Sequence, residues 1–203
     1  KDIPLDKAAR LGCGGATGGG AATEIGAARE GDVVVVVGVG GIGINSVQGA
    51  AASGARAVVA VDPVEFKREK AKEFGATHTC ASMDAAMVLV GEISWGRMAD
   101  LVILTMGVVN GADLLPGLTL TGKGRRCVVV GLGDMMAVDA QVSILDLAMQ
   151  QKTLQGAIFG GTGPRKQIPH LLHQYRAGNL KLDELVTKTY RLEDINQGYQ
   201  DMR

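Results

Sequence analysis

Five consecutive valines, Val33 to Val37, run straight into Gly38-Val39-Gly40-Gly41-Ile42-Gly43, and Asp62 follows nineteen residues after Gly43. The valine run is too short to cross a membrane, and its apolar character at every position suits a strand buried on both faces, as parallel sheets require. The glycines then each do a job that a side chain would prevent. Gly38 permits a tight turn, Gly40 lets the backbone approach a pyrophosphate, and Gly43 lets the next helix pack against the strand. Gly41 and Ile42 lead into that helix, which runs through Asn45 to Ala52 and aims its free N–H groups and positive dipole end at the phosphates. A second strand, Ala57 to Val61, delivers Asp62. Its carboxylate suits a ribose 2′-hydroxyl and repels a 2′-phosphate, so NAD is expected over NADP. Strand, glycines, helix, second strand and terminal acid stand in the order that a dinucleotide-binding βαβ unit demands. Asp62 equally suits the N-cap of a helix opening near Pro63, and the two roles are compatible.

A chain of 203 residues is long enough for one sizeable core, or for one domain and part of another. Its 21 basic and 21 acidic residues are interspersed, which points away from nucleic acid and from anionic membrane surfaces. Aromatic residues are scarce, while Gly, Ala and Val are abundant, as expected where helices lie close on a parallel sheet. No apolar segment reaches the length of a membrane span and no leader pattern opens the chain, so a cytoplasmic protein is expected. Three cysteines, Cys13, Cys80 and Cys127, form no CxxC pair and leave an odd count, which argues against a disulfide framework. Cys80 and Cys127 fall in or beside buried strands and read as small apolar residues.

Further along, strand and helix patterns alternate. A Gly-rich stretch around Cys13 precedes a helix over Ala21–Ala28. After Asp62 a charged helix over Glu65–Phe74 stops at Gly75. Strand Thr77–Ala81, helix Asp84–Ile93 and strand Ala99–Thr105 follow. A weaker helical pattern over Ala112–Leu120 is interrupted at Pro116-Gly117. Strand Arg125–Val130 comes next, then a strand pattern over Ala137–Ser143, helix Ile144–Gln151 and strand Thr153–Phe159. This alternation predicts a doubly wound, six-stranded parallel sheet with ligands beyond the carboxyl ends of the strands. From Gly160 the rhythm changes to a turn-rich hinge and a helix over Arg165–Arg176 stopped by Gly178, in which Pro169 fits only near the start. A short strand over Val186–Tyr190 and a last helix from Leu192 to Arg203 complete the reading. His170 and His173, three residues apart, lack an evident carboxylate or cysteine partner and read as surface residues. Asp183-Glu184 reads as a solvated pair.

Leu11-Gly12-Cys13-Gly14, the Gly38–Gly43 turn, Asp62, Glu73-Phe74-Gly75-Ala76-Thr77, Gly156-Ala157-Ile158-Phe159-Gly160-Gly161 and Ile195-Asn196-Gln197-Gly198-Tyr199 occur in this order. The sequence thereby resembles the medium-chain zinc-dependent alcohol dehydrogenases along essentially its whole length. Trp95-Gly96-Arg97-Met98-Ala99-Asp100 is similar to the actinobacterial members that retain NAD tightly and use an artificial electron acceptor.

The resemblance implies a division into residues 1–14, a remnant of the catalytic domain, 15–157, the Rossmann domain, and 158–203, a C-terminal catalytic piece. It implies that the chain starts just before the third zinc ligand and is a cofactor domain cut from a longer enzyme. Cys13 is then the third ligand of a catalytic zinc, one member of a Cys₂His set. Thr17 would lie beside the nicotinamide, the backbone of Val130, Ala157 and Phe159 would bind the carboxamide, and Lys67 would contact the adenosine ribose. By residue pattern alone Lys67 is equally a solvated lysine. In the family, zinc lowers the pKa of a bound alcohol and a hydride passes to nicotinamide C4. The Gly14–Gly20 stretch carries more glycine than the family usually has, so its order is open. Homo-oligomers would form through an edge strand near Thr153–Phe159. Two other readings fit the nucleotide motif: a zinc-free quinone reductase of the same superfamily, and a non-catalytic NAD-sensing module.

Overall fold

The computed structural model describes residues 3–201. A short turn of helix, α1 (Leu5–Ala8), leads through a 3-10 turn to α2 (Gly14–Gly20), which widens into a π turn over Ala21–Ile25. The sheet then builds by alternation: β1 (Val33–Val37), α3 (Gly43–Ala52), β2 (Ala57–Val61), α4 (Glu65–Glu73), β3 (His78–Cys80), α5 (Met83–Ile93), β4 (Ala99–Leu104), α6 (Leu114–Leu120), β5 (Thr121–Val129), α7 (Ile144–Met149) and β6 (Thr153–Gly156). Two further helices, α8 (Pro164–Arg176) and α9 (Ile195–Asp201), follow. All strand pairs are parallel and the six strands lie in the order β3-β2-β1-β4-β5-β6. The order reverses direction between β1 and β4, the topological switch point at which doubly wound sheets open a crevice.

The valine run explains the layering. Val34 and Val36 face one side, where Ala22, Val47 and Ala50 of the α2–α3 layer close over them. Val33, Val35 and Val37 face the other, against Ala86, Val90, Leu114 and Leu118 of α5 and α6. A strand covered on both faces needs apolar residues at every position, which is why the run does not alternate.

The glycines of α2 also have a cause. A Cβ at Gly18 would overlap the carbonyl oxygen of Ile42 and stand 2.8 Å from the Asn45 Cβ, so the missing side chain sets how closely α2 approaches α3. At Gly20 a Cβ would lie 2.6 Å from Gln167 Nε2 and overlap Gly160. The Ser46 hydroxyl donates to Gly18 O at 2.9 Å and fixes the contact. The Gly14–Gly20 stretch is thus an ordered, largely buried helix, and the helix expected from Ala21 starts at Gly14. The C-terminal segment is tied back through Gln48, whose side-chain amide donates to Lys181 O at 3.1 Å and accepts from Lys181 N at 2.8 Å.

Four local expectations need correction. Residues 137–143 form no strand, because β6 takes the free side of β5 and leaves no partner for them. Residues 186–190 are likewise irregular. Pro169 lies inside α8 and not at its start; Pro164 occupies the helix opening. Asp62 does not cap α4, which begins at Glu65 with Val64 as N-cap. The expected end of the last helix at Arg203 lies outside the described residues.

Candidate nucleotide-binding site

The strand register lines up one residue from each of five strands along a single rim. Val61, Val37, Leu104, Val129 and Gly156 are successive Cα partners across the sheet. The next residues are Asp62, Gly38, Thr105, Val130 and Ala157. All five extend the ladder: Asp62 N donates to Cys80 O at 3.1 Å, Gly38 N to Val61 O at 2.7 Å, Thr105 N to Val37 O at 2.8 Å, Val130 N to Leu104 O at 2.9 Å and Ala157 N to Val129 O at 2.8 Å. With strands about 4.8 Å apart, Asp62 and Ala157 are separated by roughly 19 Å along this rim. Residues that the sequence spreads from position 38 to position 157 therefore form one row at the carboxyl edge.

The glycine turn sits at the middle of the row, and its glycines split into two kinds. Gly38 has φ +86°, and a Cβ there would lie 2.8 Å from Met106 N. A Cβ at Gly43 would overlap Gly38 O and stand 2.7 Å from Thr105 Oγ1. These two are required by the protein's own packing. Around Gly40 and Gly41, by contrast, no atom lies within 4 Å of an added Cβ. Their faces open onto the two clefts beside the turn.

Hydrogen bonds lock the turn. The Thr105 hydroxyl donates to Gly38 O at 2.6 Å, and Asn45 Nδ2 donates to Gly41 O at 2.8 Å. Asp62, only 5% exposed, accepts from Val39 N on Oδ2 at 3.1 Å and from Val64 N on Oδ1 at 2.9 Å. One carboxylate thus holds the glycine turn and the start of the next connection together. Each oxygen keeps a further lone pair for a ligand hydroxyl. Arg68, one turn into α4, donates to the carbonyls of Asp62 and Pro63 at 2.8 and 2.9 Å.

Two clefts flank the turn. One, of about 400 Å³, is lined by Gly38, Asp62, Ser82, Thr105 and Met106. The other, of about 660 Å³, is lined by Gly41, Ile42, Asn45, Arg10 and Gly14. Gly40 and Lys67 border both, and Lys67 has no ion-pair partner among the described residues, unlike Lys70 and Lys72 on the same helix. Thr105, Met106 and Ser82 were not singled out by sequence reasoning. Their signal was position, since each follows the carboxyl end of a strand.

The remaining expected residues are placed less uniformly. Val130 and Ala157 stand on the rim, whereas Phe159, with φ +47° and 59% exposed, projects beyond it. Thr17 is buried in α2 and lines neither cleft. Cys13, the residue before α2, is exposed and unpaired. Among the described residues no group of three or more His, Cys, Asp or Glu side chains is placed to hold a metal, and His170 and His173 are exposed. The donor set for a metal is therefore a single thiolate. Cys80 and Cys127 are buried, and desolvation pushes the Cys127 thiol up to about 12, as suits packing and not reactivity.

A parallel sheet in this order, with a glycine turn open to a ligand and an acid at the end of the second strand, defines a dinucleotide-binding domain of the Rossmann class. Residues 41–176 match the family described as zinc-binding dehydrogenase. The chain is 48% identical over 201 residues to an NDMA-dependent alcohol dehydrogenase of Amycolatopsis methanolica, covering 99% of this chain and 54% of that protein. It is 46% identical over 200 residues to alcohol dehydrogenase B of Mycobacterium tuberculosis, covering 98% and 53%. The solved structure of benzyl alcohol dehydrogenase from Acinetobacter calcoaceticus superposes with a TM-score of 0.92 at 31% identity, over 100% of this chain and 55% of that one. The chain belongs to the zinc-binding dehydrogenase family and contains its NAD-binding part. It spans about half the length of the curated relatives it matches.

Proposed function

We propose that this chain binds NAD along the carboxyl rim as the cofactor-binding part of an alcohol dehydrogenase. The observation that carries this reading is the contrast within the glycine turn: Gly38 and Gly43 are closed in by protein, while Gly40 and Gly41 face open space, Gly40 in the cleft that Asp62 lines. The turn and the start of α3 receive the pyrophosphate, and Asp62 accepts the adenosine ribose hydroxyls from the 400 Å³ cleft, with Lys67 at its mouth. Val130, Ala157 and Phe159 continue toward the nicotinamide, and Thr17 backs it from α2. NAD supplies the hydride acceptor, and the relatives' printed names supply the substrate class, an alcohol.

Cys13 contributes one thiolate of a catalytic zinc site, and the other ligands would come from the further length that the relatives possess. The residues described here do not complete such a site, so this chain's share of the chemistry is to hold and orient the cofactor. By itself it is expected to bind NAD and turn over no alcohol. The division into residues 1–14, 15–157 and 158–203 belongs to the same reading, and α2 opening at Gly14 and β6 ending at Gly156 support it. Three unpaired cysteines fit a reducing, cytoplasmic setting, and no helix among the described residues is long and apolar enough to cross a membrane.

Amide chemical-shift mapping of the isotope-labelled chain tests the placement. Adding NAD is expected to move the Val39, Gly40, Gly41, Val64 and Thr105 amides. Binding that leaves these five unmoved would overturn it.

A further inference from the structure

The opposite, amino-terminal end of the sheet holds a further cleft, of about 410 Å³. The rise of a strand, about 3.3 Å per residue, separates it from the cofactor rim by on the order of 17 Å along β4. Arg56, Arg97, Lys123, Arg125 and Lys152 line it, against the carboxylates of Asp100 and Asp146 alone. That is a concentrated positive excess in a chain whose formal net charge is zero. Both carboxylates are already engaged: Asp100 by Arg125 at 2.9 Å and by Val33 N at 2.8 Å, Asp146 by Lys152 at 2.8 Å. Arg56, Arg97 and Lys123 have no ion-pair partner among the described residues.

The backbone is bent to present these three groups. Trp95 (φ 53°), Gly96 (φ 77°) and Met98 (φ 65°) are left-handed within four residues, a conformation that a non-glycine residue keeps only when its surroundings impose it. Ser94, 1% exposed, imposes it: its hydroxyl accepts from Met98 N at 2.9 Å and its carbonyl from Arg97 N at 3.2 Å. The result leaves Trp95 81% exposed with the Arg56 and Arg97 guanidinium carbons each 5.7 Å from its ring centre, so the indole props both cations at the cleft. Lys123 arrives by a second irregularity. Ala99 pairs with Thr121 but Leu101 with Arg126, so β5 bulges outward between them and carries Lys123 with it. Bulges commonly re-aim a side chain next to a site.

We propose that this cleft is a second anion site, separate from the glycine turn, that takes a ligand bearing two or more phosphate groups. Arginine forks and a free ammonium match phosphate oxygens, and the three unpaired cations supply the charge that such a ligand neutralises.

The test uses the chain's single tryptophan as reporter. Inorganic pyrophosphate is titrated at constant ionic strength while Trp95 fluorescence is followed, with calorimetry in parallel. A saturable change is expected, weakened at least tenfold in Lys123→Glu, lost in the Arg97→Ala, Lys123→Glu double variant, and kept in Gly40→Val. Lys123 is exposed, so the circular dichroism of Lys123→Glu should match the parent. The proposal fails if sodium chloride reproduces the change, if neither fluorescence nor heat responds, or if Gly40→Val abolishes binding that Lys123→Glu retains. The last result would place pyrophosphate at the glycine turn only.

Discussion

Gly40 and Gly43 lie three positions apart in one turn and answer to different masters. Gly43 is demanded by the fold, because its Cβ would overlap the Gly38 carbonyl oxygen. Gly40 is not demanded by the fold, because nothing of the protein lies within 4 Å of its Cβ position, and under the proposed function its bare backbone serves the pyrophosphate. Alanine at each site therefore separates stability from binding. Gly43→Ala is expected to lower unfolding stability by about 1–3 kcal/mol, the usual range for forced overpacking. Gly40→Ala should leave the unfolding free energy within about 0.5 kcal/mol of the parent yet weaken NAD binding about tenfold. Paired denaturant and calorimetric titrations check both, and a Gly40→Ala protein that binds NAD as well as the parent would refute the pyrophosphate placement. The identity of these residues was legible in the sequence because their spacing is a chemical requirement. Their separate roles were legible too, but not the particular atoms that close in Gly38 and Gly43, Met106 N and Gly38 O, which only the fold brings there.

At the level of elements, the strands and the parallel, doubly wound sheet were readable because burial on both faces leaves long apolar runs, whereas the order β3-β2-β1-β4-β5-β6 came from the fold. What failed was local and had a common cause. Residues 137–143 carry an extended pattern, but a strand exists only with a partner, and β6 already occupies the edge of β5. Pro169 costs α8 the bond to Arg165 O, yet the helix continues on both sides of it because tertiary contacts such as Gln167 Nε2 to Ala16 O, at 2.8 Å, hold that face in place. In α2, glycines that argue against a helix in isolation are what let the helix sit against α3 and the Gly160 turn. Two neighbouring substitutions probe this. Gly18→Ala should destabilise by about 1–3 kcal/mol through its clash with Ile42. Gly19→Ala meets only Leu171 Cδ2, at 4.0 Å, and should stabilise by about 0.5–1 kcal/mol through reduced backbone entropy. Equal effects of the two would mean that α2 does not pack as described.

For the molecule as a whole, the two ends of the sheet are chemically distinct: a carboxylate and open glycines at the carboxyl rim, and unpaired cations at the amino end. A third surface lies along β6, the outermost strand, where Leu145, Met149 and Ile158 are exposed beside a free backbone edge. We propose that this edge pairs with a second copy of the chain across a two-fold axis. Sedimentation velocity should then show a dimer that Ile158→Asp converts to monomer, and a monomeric parent at high micromolar concentration would dismiss the pairing. The central claim, that the glycine turn and Asp62 together form a site selective for NAD, is tested most directly by calorimetric titration of NAD and NADP into the parent chain and into Asp62→Ala. The parent should bind NAD at least about tenfold more tightly than NADP, and the variant should lose affinity for NAD and most of that preference. A parent that binds NADP as tightly as NAD, or a folded variant whose affinities for both are unchanged, would contradict it.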